Sequence, residues 1–518
     1  MYLTQSLHRG MRLFPQRLAT VFGERRRTYA DIGERVARLA GALRRLGVAP
    51  GDRVGMLSLN SDRYVEYFYA TYWAGGVVNP ANIRWSPAEI AYSLADCETR
   101  VLFIDDPFLP MLPALREKAP CLTTVIHCGN GPTPDGLLSY EALVVDGPAV
   151  EDALRGGEDL AGVFYTGGTT GFPKGVMLPH RALYANGLAL AFEGHGLHGG
   201  IGLHAAPMFH LADHAFLNAL AMTGGTHVML PMFQPKAVAE IIARERVKAA
   251  VLVPTMIQMF VDSPDVRGID LSSLQLLLYG GSPIAEAVID RTLALMPHVR
   301  MVQAYGQTEI APVATVLQPE YHVGPGRALR KVRSAGQAIP ICEVRIVDTA
   351  GREVPTGTVG EVTIRGPGVM HGYWNKPAET AAVLRGGWMH TGDGGYLDAD
   401  GFLFIVDRVK DMIVTGGENV YSVEVENAVA KHPAVAQVAV IGVPDEEWGE
   451  RVHAVVVPRQ GQQVTLDELH EHCKALIANY KCPRSMEIAE TLPMSGAGKI
   501  TKNVLREKYW AGRERRVG

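Results

Sequence analysis

The chain has 518 residues, and its 50 Lys plus Arg nearly balance its 54 Asp plus Glu, which gives a formal net charge of −4. This balance excludes a generic basic nucleic-acid-binding protein, so we expect no nucleic-acid partner. Hydrophobic residues make up 47% of the chain, and 56 Gly with 32 Pro indicate a turn-rich globular protein rather than a disordered one.

The N-terminal segment carries no apolar core of the kind found in signal peptides, because Arg9, Arg12 and Arg17 interrupt it. The longest apolar run, 67–78, is shorter than the roughly 20 residues that span a bilayer, and it predicts a buried helix. The six cysteines include no CxxC pair, which argues against a zinc ribbon and a disulfide scaffold. We expect a cytoplasmic protein without a transmembrane segment; peripheral contact with a membrane and a homodimer are left open.

Helices and strands alternate along the first part of the chain. Apolar residues three or four apart predict a helix over 30–47, which Gly47 ends. The alternation continues with strands at 53–59, 100–104, 160–166, 248–253, 274–279 and 299–304, and helices at 61–73, 235–246 and 284–296. Such alternation is typical of βαβ units and predicts a parallel sheet.

The pattern changes near residue 336, where short β-rich runs are separated by Gly, Pro and Asp turns. These runs predict an antiparallel or barrel-like subdomain. After 407–411 the chain resumes with further β-rich runs and a predicted helix over 466–478. We therefore expect an α/β protein with two domains. The N-terminal domain, 1–407, combines layered α/β sheets with a small β-barrel-like subdomain, and the C-terminal domain, 408–518, is small, mobile and α+β.

A glycine-rich loop follows the predicted strand at 160–166, with the sequence GGTTGFPKG from Gly167 to Gly175. Glycines let backbone N–H groups approach an anion, the threonines add hydroxyl donors, and Lys174 adds a positive charge. The loop is not a Walker A motif, because Lys174 is followed by Gly rather than Ser or Thr. It predicts a phosphate-binding site.

The loop resembles the signature phosphate loop of the adenylate-forming enzymes, which include acyl-CoA synthetases, carrier-protein adenylation domains and beetle luciferases. Four further segments carry the resemblance in the family's order: YGQTE at 305–309, TGD at 391–393, DRVKDMIVTGGENVY at 407–421 and PMSGAGKI at 493–500. The resemblance spans essentially the whole chain. It implies that a carboxylic acid is joined to the α-phosphate of ATP and that the acyl group then passes to a thiol.

The resemblance also implies residue roles. Lys499 would bridge the substrate carboxylate and the α-phosphate, and Glu309 would hold Mg²⁺, since hard cations prefer oxygen ligands. Asp393 and Arg408 would bind the ribose. The catalytic residues that it implies are Lys499, Thr166, Glu309 and His210. The nucleotide- and CoA-binding residues that it implies are Thr166, Gly168, Thr169, Thr170, Gly171, Lys174, Gly280, Gly281, Ser282, Tyr305, Gly306, Thr308, Asp393, Arg408, Lys410, Gly416 and Gly417.

Lys410 matches the hinge position of the family, where the small domain would rotate after the acyl-adenylate forms. Rotation would withdraw Lys499 and bring Gly416 and Gly417 to the nucleotide, where glycine lets the pantetheine arm of CoA pass. The family usually has Ser where Gly167 stands, so we assign no phosphate contact to that position.

The segment PMFH at 207–210 resembles the family's P-x-F-H motif, which would place His210 near the reacting carbonyl. Plant coumarate ligases, which this region is similar to, typically carry Tyr where Ala212 aligns and Gly where Ala304 aligns. These departures disfavour a hydroxylated cinnamate and favour an apolar monocarboxylic acid, either a medium- or long-chain fatty acid or a related aryl acid. The expected substrate pocket consists of His210, Leu211, Ala212, Phe216, Phe233 and Ala304.

The sequence thus predicts an ATP- and Mg²⁺-dependent acid:CoA ligase, and two alternatives are weighed against it. A stand-alone adenylation enzyme that loads a carrier protein would share the first half-reaction. A nicotinamide-dependent oxidoreductase would explain the match of 200–205 to G-x-G-x-x-A, but Pro207 breaks the helix that should bind the pyrophosphate. His470, His472 and Cys473 resemble metal ligands, yet they point to different faces of a predicted helix.

Overall fold

A computed structural model describes residues 1–166, 173–194, 197–408, 411–415, 418–494 and 500–511, without the side chains of Arg408 and Asn419. The described helices are α1 (Gln5–Leu13), α2 (Tyr29–Arg45), α3 (Asp62–Ala74), α4 (Pro87–Asp96), α5 (Leu112–Lys118), α6 (Tyr140–Asp146), α7 (His180–Glu193), α8 (Leu211–Met222), α9 (Pro235–Glu245), α10 (Pro254–Asp262), α11 (Glu286–Leu295), α12 (Gly324–Ala328), α13 (Pro377–Val383), α14 (Ser422–Val429), α15 (Leu466–Lys474) and α16 (Lys502–Trp510).

The described strands alternate with these helices in the first part of the chain and dominate after it. They are β1 (Leu18–Phe22), β2 (Arg25–Thr28), β3 (Arg53–Leu57), β4 (Val77–Pro80), β5 (Val101–Ile104), β6 (Thr124–His127), β7 (Leu138–Ser139), β8 (Leu160–Thr166), β9 (Lys174–Pro179), β10 (Ile201–His204), β11 (Thr226–Met229), β12 (Ala249–Leu252), β13 (Leu276–Gly280), β14 (Arg300–Gly306), β15 (Val313–Leu317), β16 (Gln337–Ala338), β17 (Glu343–Val347), β18 (Gly360–Arg365), β19 (Gly372–Tyr373), β20 (Leu384–Arg385), β21 (Trp388–Leu397), β22 (Leu403–Arg408), β23 (Ile413–Thr415), β24 (Glu418–Val420), β25 (Val435–Asp445), β26 (Gly449–Pro458) and β27 (Ser485–Ile488).

Two large sheets form the first part of the molecule, in the orders β19-β9-β8-β4-β3-β5-β6-β7 and β16-β15-β14-β13-β12-β10-β11-β1-β2. Their central strands are parallel, as the βαβ alternation predicts. The expectation of parallel sheets is wrong at the edges, where β8–β9, β9–β19, β14–β15 and β1–β2 pair antiparallel. For β8–β9, β14–β15 and β1–β2 the reason is the short connection, because a parallel pair needs a crossover of about a dozen residues or more, whereas β9 and β19 are far apart in sequence.

Two smaller sheets follow. The first, β17-β18-β21-β20 with β22 on β21, is antiparallel throughout and confirms the predicted antiparallel subdomain. The second contains β24-β23-β26-β25, with β27 parallel to β26, and packs α14 and α15 around a core of its own. The fold is therefore α/β with a large N-terminal part and a small α+β C-terminal part.

Several element boundaries differ from the expected ones. The helix predicted over 466–478 ends at Lys474, because the backbone N–H groups of Leu476 and Ile477 both turn back to the carbonyl of Cys473. The run at 67–78 divides into the end of α3 and the start of β4, and every residue of α3 is buried. Within the described ranges, no helix has the length and apolar character needed to cross a membrane.

Candidate active site

The predicted nucleotide-binding residues lie at the carboxyl ends of central strands, where open α/β sheets bind ligands. Thr166 ends β8, Gly280 ends β13, and Tyr305 and Gly306 end β14. Because β13 and β14 are parallel, with Gly280 opposite Ala304, their ends meet at one edge of the sheet. The sheet thus brings the turn after β13 next to the start of the YGQTE motif, whereas Thr166 ends a strand of the other large sheet.

Glycine is required at the end of β13. A Cβ on Gly280 would lie 2.1 Å from the carbonyl oxygen of Ala304, and Gly281 has a φ of +82°, in the left-handed region. These positions keep the turn before Ser282 narrow, because any side chain at Gly280 would push β14 away. The turn leaves backbone groups at the edge of the sheet.

Asp393 and Tyr305 form the best-defined polar contact of the site. The Tyr305 hydroxyl donates to Oδ2 of Asp393 at 2.7 Å, and Asp393 is buried. The backbone N–H of Asp393 donates to Oγ1 of Thr391 at 3.0 Å, which orients the carboxylate. The register of β21 with β22 sets Arg408 opposite Asp393, so the two ribose-binding candidates share one point of the sheet.

Glu309 lies in a single 3₁₀ turn, Thr308–Ile310, directly after β14. Its Oε1 accepts a hydrogen bond from the hydroxyl of Tyr373 at 2.8 Å, and the residue is 9% exposed. The Lys174 ammonium lies 5.1 Å from the centroid of the Tyr373 ring, within cation–π distance. Tyr373 therefore contacts both Lys174 of the glycine-rich loop and Glu309 of the YGQTE motif.

Tyr373 was missed by sequence reasoning. It belongs to the two-residue strand β19, which pairs with β9 so that Tyr373 faces Val176, two residues beyond Lys174. The only sequence signal is an aromatic pair after Gly372, which no motif marks. We call Lys174, Tyr373, Glu309, Tyr305 and Asp393 the nucleotide cluster.

Several predicted site residues cannot be placed. Those that lie outside the described residues are Gly168, Thr169, Thr170, Gly171, Lys410, Gly416, Gly417 and Lys499. Their roles stay predictions, as does the role of the Arg408 side chain.

The residues predicted for the acyl pocket gather around α8, but not all of them meet. His210 is the N-cap residue of α8 and its ring lies 4.4 Å from that of Phe209. Leu211 is buried, whereas Ala212 is exposed. Phe216 is fully buried in a core cluster against which Ala304 also packs, while Phe233 packs against a different cluster.

A buried polar network lies beneath α8. His204 Nδ1 is 2.8 Å from Oδ2 of Asp213, and His204 Nε2 is 2.9 Å from Nδ1 of His227. Burial lowers the pKa of His227 well below its usual value, with His204 adding to the effect. His204 also belongs to the apparent dinucleotide motif at 200–205. That segment does not form a phosphate-binding turn after a strand, because Ile201–His204 is itself the strand β10.

The His470, His472 and Cys473 trio does not form a metal site. His470 Nδ1 contacts the carbonyl of Pro483 at 3.1 Å, and His472 Nε2 contacts that of Ala428 at 3.1 Å. Across the described residues, no three His, Cys, Asp or Glu side chains are grouped closely enough to hold a metal ion.

Comparison with known proteins agrees with the geometry. Residues 7–374 match the family described as AMP-binding enzyme, and residues 424–499 match the AMP-binding enzyme C-terminal domain. A fatty acid–[acyl-carrier-protein] ligase of Streptomyces coeruleorubidus is 37% identical over 495 residues, covering 95% of this chain and 93% of that protein. A feruloyl-CoA synthase of Amycolatopsis sp. is 39% identical over 508 residues, covering 97% and 98%.

A solved structure gives the same result for the fold. The anthranilate CoA ligase AuaEII, in complex with anthranoyl-AMP, has a TM-score of 0.91 and 27% sequence identity, covering 98% of this chain and 97% of that one. The chain therefore belongs to the AMP-binding enzyme family, and within it the chain is an acyl- or aryl-CoA ligase that works through an acyl-adenylate.

Proposed function

We propose that this ligase activates an apolar monocarboxylic acid, either a medium- or long-chain fatty acid or a related aryl acid. Pyrophosphate leaves in the first step and AMP in the second. The observation that carries the proposal is the nucleotide cluster, in which contacts between side chains link the cation of Lys174 to the buried carboxylate of Glu309 through Tyr373, and Tyr305 to the buried carboxylate of Asp393. Joining two anions requires charge stabilisation and positioning more than an acid–base pair.

The nucleotide would lie across the ends of β13 and β14. Asp393 would accept hydrogen bonds from the ribose hydroxyls, with Arg408 as a second ribose ligand, and the ring of Tyr305 would contact the adenine. The turn at Gly280, Gly281 and Ser282 would line the base with backbone groups, with Gly306 and Thr308 completing the edge. Lys174, Thr166 and the glycine loop would bind the phosphates, since compact cations and backbone N–H groups suit phosphate oxygens.

The residues present suit Mg²⁺ bound together with ATP. Glu309 offers one buried carboxylate, and the hydroxyl of Tyr373 donates a hydrogen bond that would orient it. Mg²⁺ usually takes one or two carboxylates and completes its shell with water and substrate phosphates, so a single glutamate is sufficient. When bound, the ion would neutralise phosphate charge.

The thioester step needs a second arrangement of the same chain. Residues 1–407 would form the nucleotide and acyl domain, and residues 408–518 would rotate about Lys410. Lys499 would serve adenylation by bridging the carboxylate and the α-phosphate. After rotation, Gly416 and Gly417 would admit the pantetheine arm. His210, in the N-terminal domain, would lie near the reacting carbonyl.

The acyl pocket would lie against α8, with small residues at its critical positions. Ala212 and Ala304 place no hydroxyl near the acyl group, and Leu211, Phe216 and Phe233 are apolar. An apolar acid therefore fits better than a hydroxylated cinnamate. The cluster that holds Phe216 and packs against Ala304 also contains Ala206, Ala215 and Ala219, and all of its buried members are apolar.

We place the reaction in the cytoplasm, where ATP and CoA are consumed. All six cysteines are free thiols, which suits a reducing compartment.

A carrier protein is the second candidate acceptor, and a specific observation favours it. The Streptomyces coeruleorubidus relative is named for transfer to an acyl-carrier protein, at 37% identity over 95% of this chain. CoA and a carrier protein present the same phosphopantetheine thiol, so the site chemistry is shared and the acceptor must be measured.

The test is pyrophosphate release with ATP and Mg²⁺ over a panel of fatty, aryl and hydroxycinnamic acids. Each acid is assayed with CoA, with a phosphopantetheinylated carrier protein, and with neither, and products are identified by mass. We expect a CoA thioester from one class of apolar acid. Thioester found only on the carrier would overturn CoA as the acceptor, and a preference for hydroxycinnamates would overturn the proposed acid class.

A further inference from the structure

A buried charged cluster lies where the last strand of the large N-terminal part meets two helices of the C-terminal part. Asp407 lies on β22, Ser422 begins α14, and Lys502 begins α16. The backbone N–H of Ser422 donates to Oδ2 of Asp407 at 2.6 Å, and the Lys502 ammonium donates to Oγ of Ser422 at 2.5 Å. Lys502 also pairs with Oε1 of Glu426 at 2.8 Å. We call Asp407, Ser422, Glu426 and Lys502 the junction cluster.

The junction cluster holds its charges away from water. The side chains of Lys502 and Glu426 are 13% and 18% exposed, and Asp407 is buried. Burial raises the pKa of Asp407 and of Glu426. Burial opposes the charge on Lys502, but the carboxylates of Glu426 and Asp407 outweigh it and raise the pKa of Lys502. A cation held in this way loses its compensation if either carboxylate moves away.

A second ion pair lies one turn further along α16. Arg506 pairs with Oδ1 of Asp411 at 2.5 Å, and the two side chains are 11% and 16% exposed. Asp407 and Asp411 flank Lys410 in the sequence, so α16 contacts the chain on both sides of the proposed hinge. The same helix starts three residues after Lys499, and three extended residues reach at most about 11 Å.

The base of α16 is also tied to the segment before Lys499. Met494 and Ile500 form an antiparallel bridge, and the backbone N–H of Thr501 donates to the carbonyl of Pro493 at 2.8 Å. Lys502 follows Thr501 directly. The junction cluster is therefore connected through the backbone to the end of the PMSGAGKI segment.

We propose that Lys502 is a positioning residue for adenylation, which sets the orientation of the C-terminal part through Ser422, Glu426 and Asp407. Asp407 precedes the hinge and Ser422 follows it, so rotation about Lys410 would separate them. Ser422, Glu426 and Lys502 all lie in the C-terminal part and would stay together, whereas the hydrogen bond from Ser422 to Asp407 would break on rotation and so belongs to one orientation only. Loss of Lys502 would weaken that contact through Ser422, and it therefore acts unequally on the two half-reactions. This inference rests on the proposed function, specifically on the role of Lys499.

The test compares Lys502→Met with wild type in two assays. Adenylation is measured as single-turnover pyrophosphate release without CoA, and thioester formation is measured from supplied acyl-adenylate with CoA. We expect adenylation to fall by about tenfold or more, since misplacement of about 1 Å can have that effect, while thioester formation changes by less than about threefold. Lys502→Arg should recover part of the loss.

The matched control is Lys508→Met on the same helix, whose ion pair with Glu487 is exposed, and it should leave both half-reactions unchanged. If Lys502→Met does not fold, Asp407→Asn is tested for the same selective loss. An equal loss in both assays, a loss in thioester formation alone, or no loss in either would overturn the inference.

Lys499→Ala, assayed in parallel, separates this inference from the proposed function. Adenylation that survives in Lys499→Ala contradicts the proposed role of that lysine and therefore the basis of the inference. Adenylation that is lost in Lys499→Ala but not selectively reduced in Lys502→Met contradicts the role of Lys502 alone.

Discussion

At the scale of single residues, the buried carboxylate of Asp393 accepts a hydrogen bond from the hydroxyl of Tyr305. In Asp393→Asn the side chain keeps its shape, but one acceptor oxygen becomes an NH₂ donor that cannot receive a ribose hydroxyl. We expect the KM for ATP to rise about tenfold, equivalent to roughly 1.4 kcal/mol, while the KM for the acid changes little. Steady-state rates measured over an ATP titration check this.

The matched control for Asp393→Asn is Asp400→Asn. Asp400 lies in the turn after β21 and pairs with Lys331 at 2.7 Å in an exposed position, so its loss should leave both KM values unchanged. An unaltered KM for ATP in Asp393→Asn would contradict the ribose role.

Glu309 gives a second prediction at this scale. Glu309→Gln retains an oxygen for the Tyr373 hydroxyl but removes the negative charge that a hard cation needs. We expect the adenylation rate to fall by about a hundredfold and the half-saturating Mg²⁺ concentration to rise. Pyrophosphate release is measured across a Mg²⁺ titration.

Tyr373→Phe is the comparison for Glu309→Gln, because it removes only the hydroxyl that donates to Glu309. We expect a smaller loss of adenylation, with Mg²⁺ dependence retained. A Glu309→Gln enzyme with wild-type dependence on Mg²⁺ would exclude this glutamate as the metal ligand.

At the scale of elements, α8 is joined to its sheet by a buried polar contact as well as by apolar packing. Asp213→Ala leaves the buried His204 without its carboxylate partner, and His204 is in turn the partner of His227. We expect the free energy of unfolding to fall by about 2 kcal/mol, as is typical when one partner of a buried hydrogen bond is removed and the other is left unsatisfied. Urea denaturation measures the change.

The control for Asp213→Ala is Asp262→Ala, which removes an aspartate whose pairing with Arg291 is partly exposed at the end of α10. Its effect should stay below about 1 kcal/mol. Equal effects of the two substitutions would show that the network beneath α8 contributes no more than a surface pair.

Local pattern predicts the elements of this chain better than their pairing. The helix expected over 30–47 is found at Tyr29–Arg45, because apolar spacing and a capping box act within the segment. The pairing of β19 with β9 depends on contacts between segments nearly 200 residues apart. Periodicity does not encode those contacts.

In the candidate site, too, residues within sequence motifs could be identified as candidates, whereas contacts between separate strands could not. Tyr305, Glu309 and Asp393 could be predicted because each lies in a motif with a recognisable spacing. Tyr373 could not, because its role arises only when β19 pairs with β9 and brings the ring between Lys174 and Glu309. His204 was predicted only as part of a false dinucleotide motif, since its partners come from α8 and β11.

At the scale of the whole molecule, buried histidines predict loss of stability in acid. Burial lowers the pKa of His180, His322 and His453 to about 4. An unfolded histidine has a pKa near 6.5, so the unfolded state binds more protons between about pH 6.5 and 4. The stability that the neutral forms provide is complete above about pH 6.5 and is lost as the pH falls toward 4.

The size of the stability loss in acid follows from how far burial lowers the pKa of each histidine. Each of these histidines would contribute about 3 kcal/mol, from about 1.4 kcal/mol per pKa unit. Urea unfolding at a series of pH values measures the slope. His322→Gln, which removes a side chain held between Tyr279 and Gln318, should reduce it, whereas His198→Gln at an exposed position should not. A flat profile between pH 7 and 4 would contradict the prediction.

The large N-terminal part carries the described nucleotide cluster, whereas Lys499 belongs to the C-terminal part, so the complete reaction depends on both. The central claim is that the nucleotide cluster binds ATP for the adenylation of a carboxylic acid. The most direct measurement is exchange of labelled pyrophosphate into ATP by the wild-type enzyme, with and without an apolar acid and with no CoA present. We predict exchange that requires both the acid and Mg²⁺ and needs no CoA. Exchange that is absent with every acid, or that appears only when CoA is added, would contradict an acyl-adenylate formed at this site.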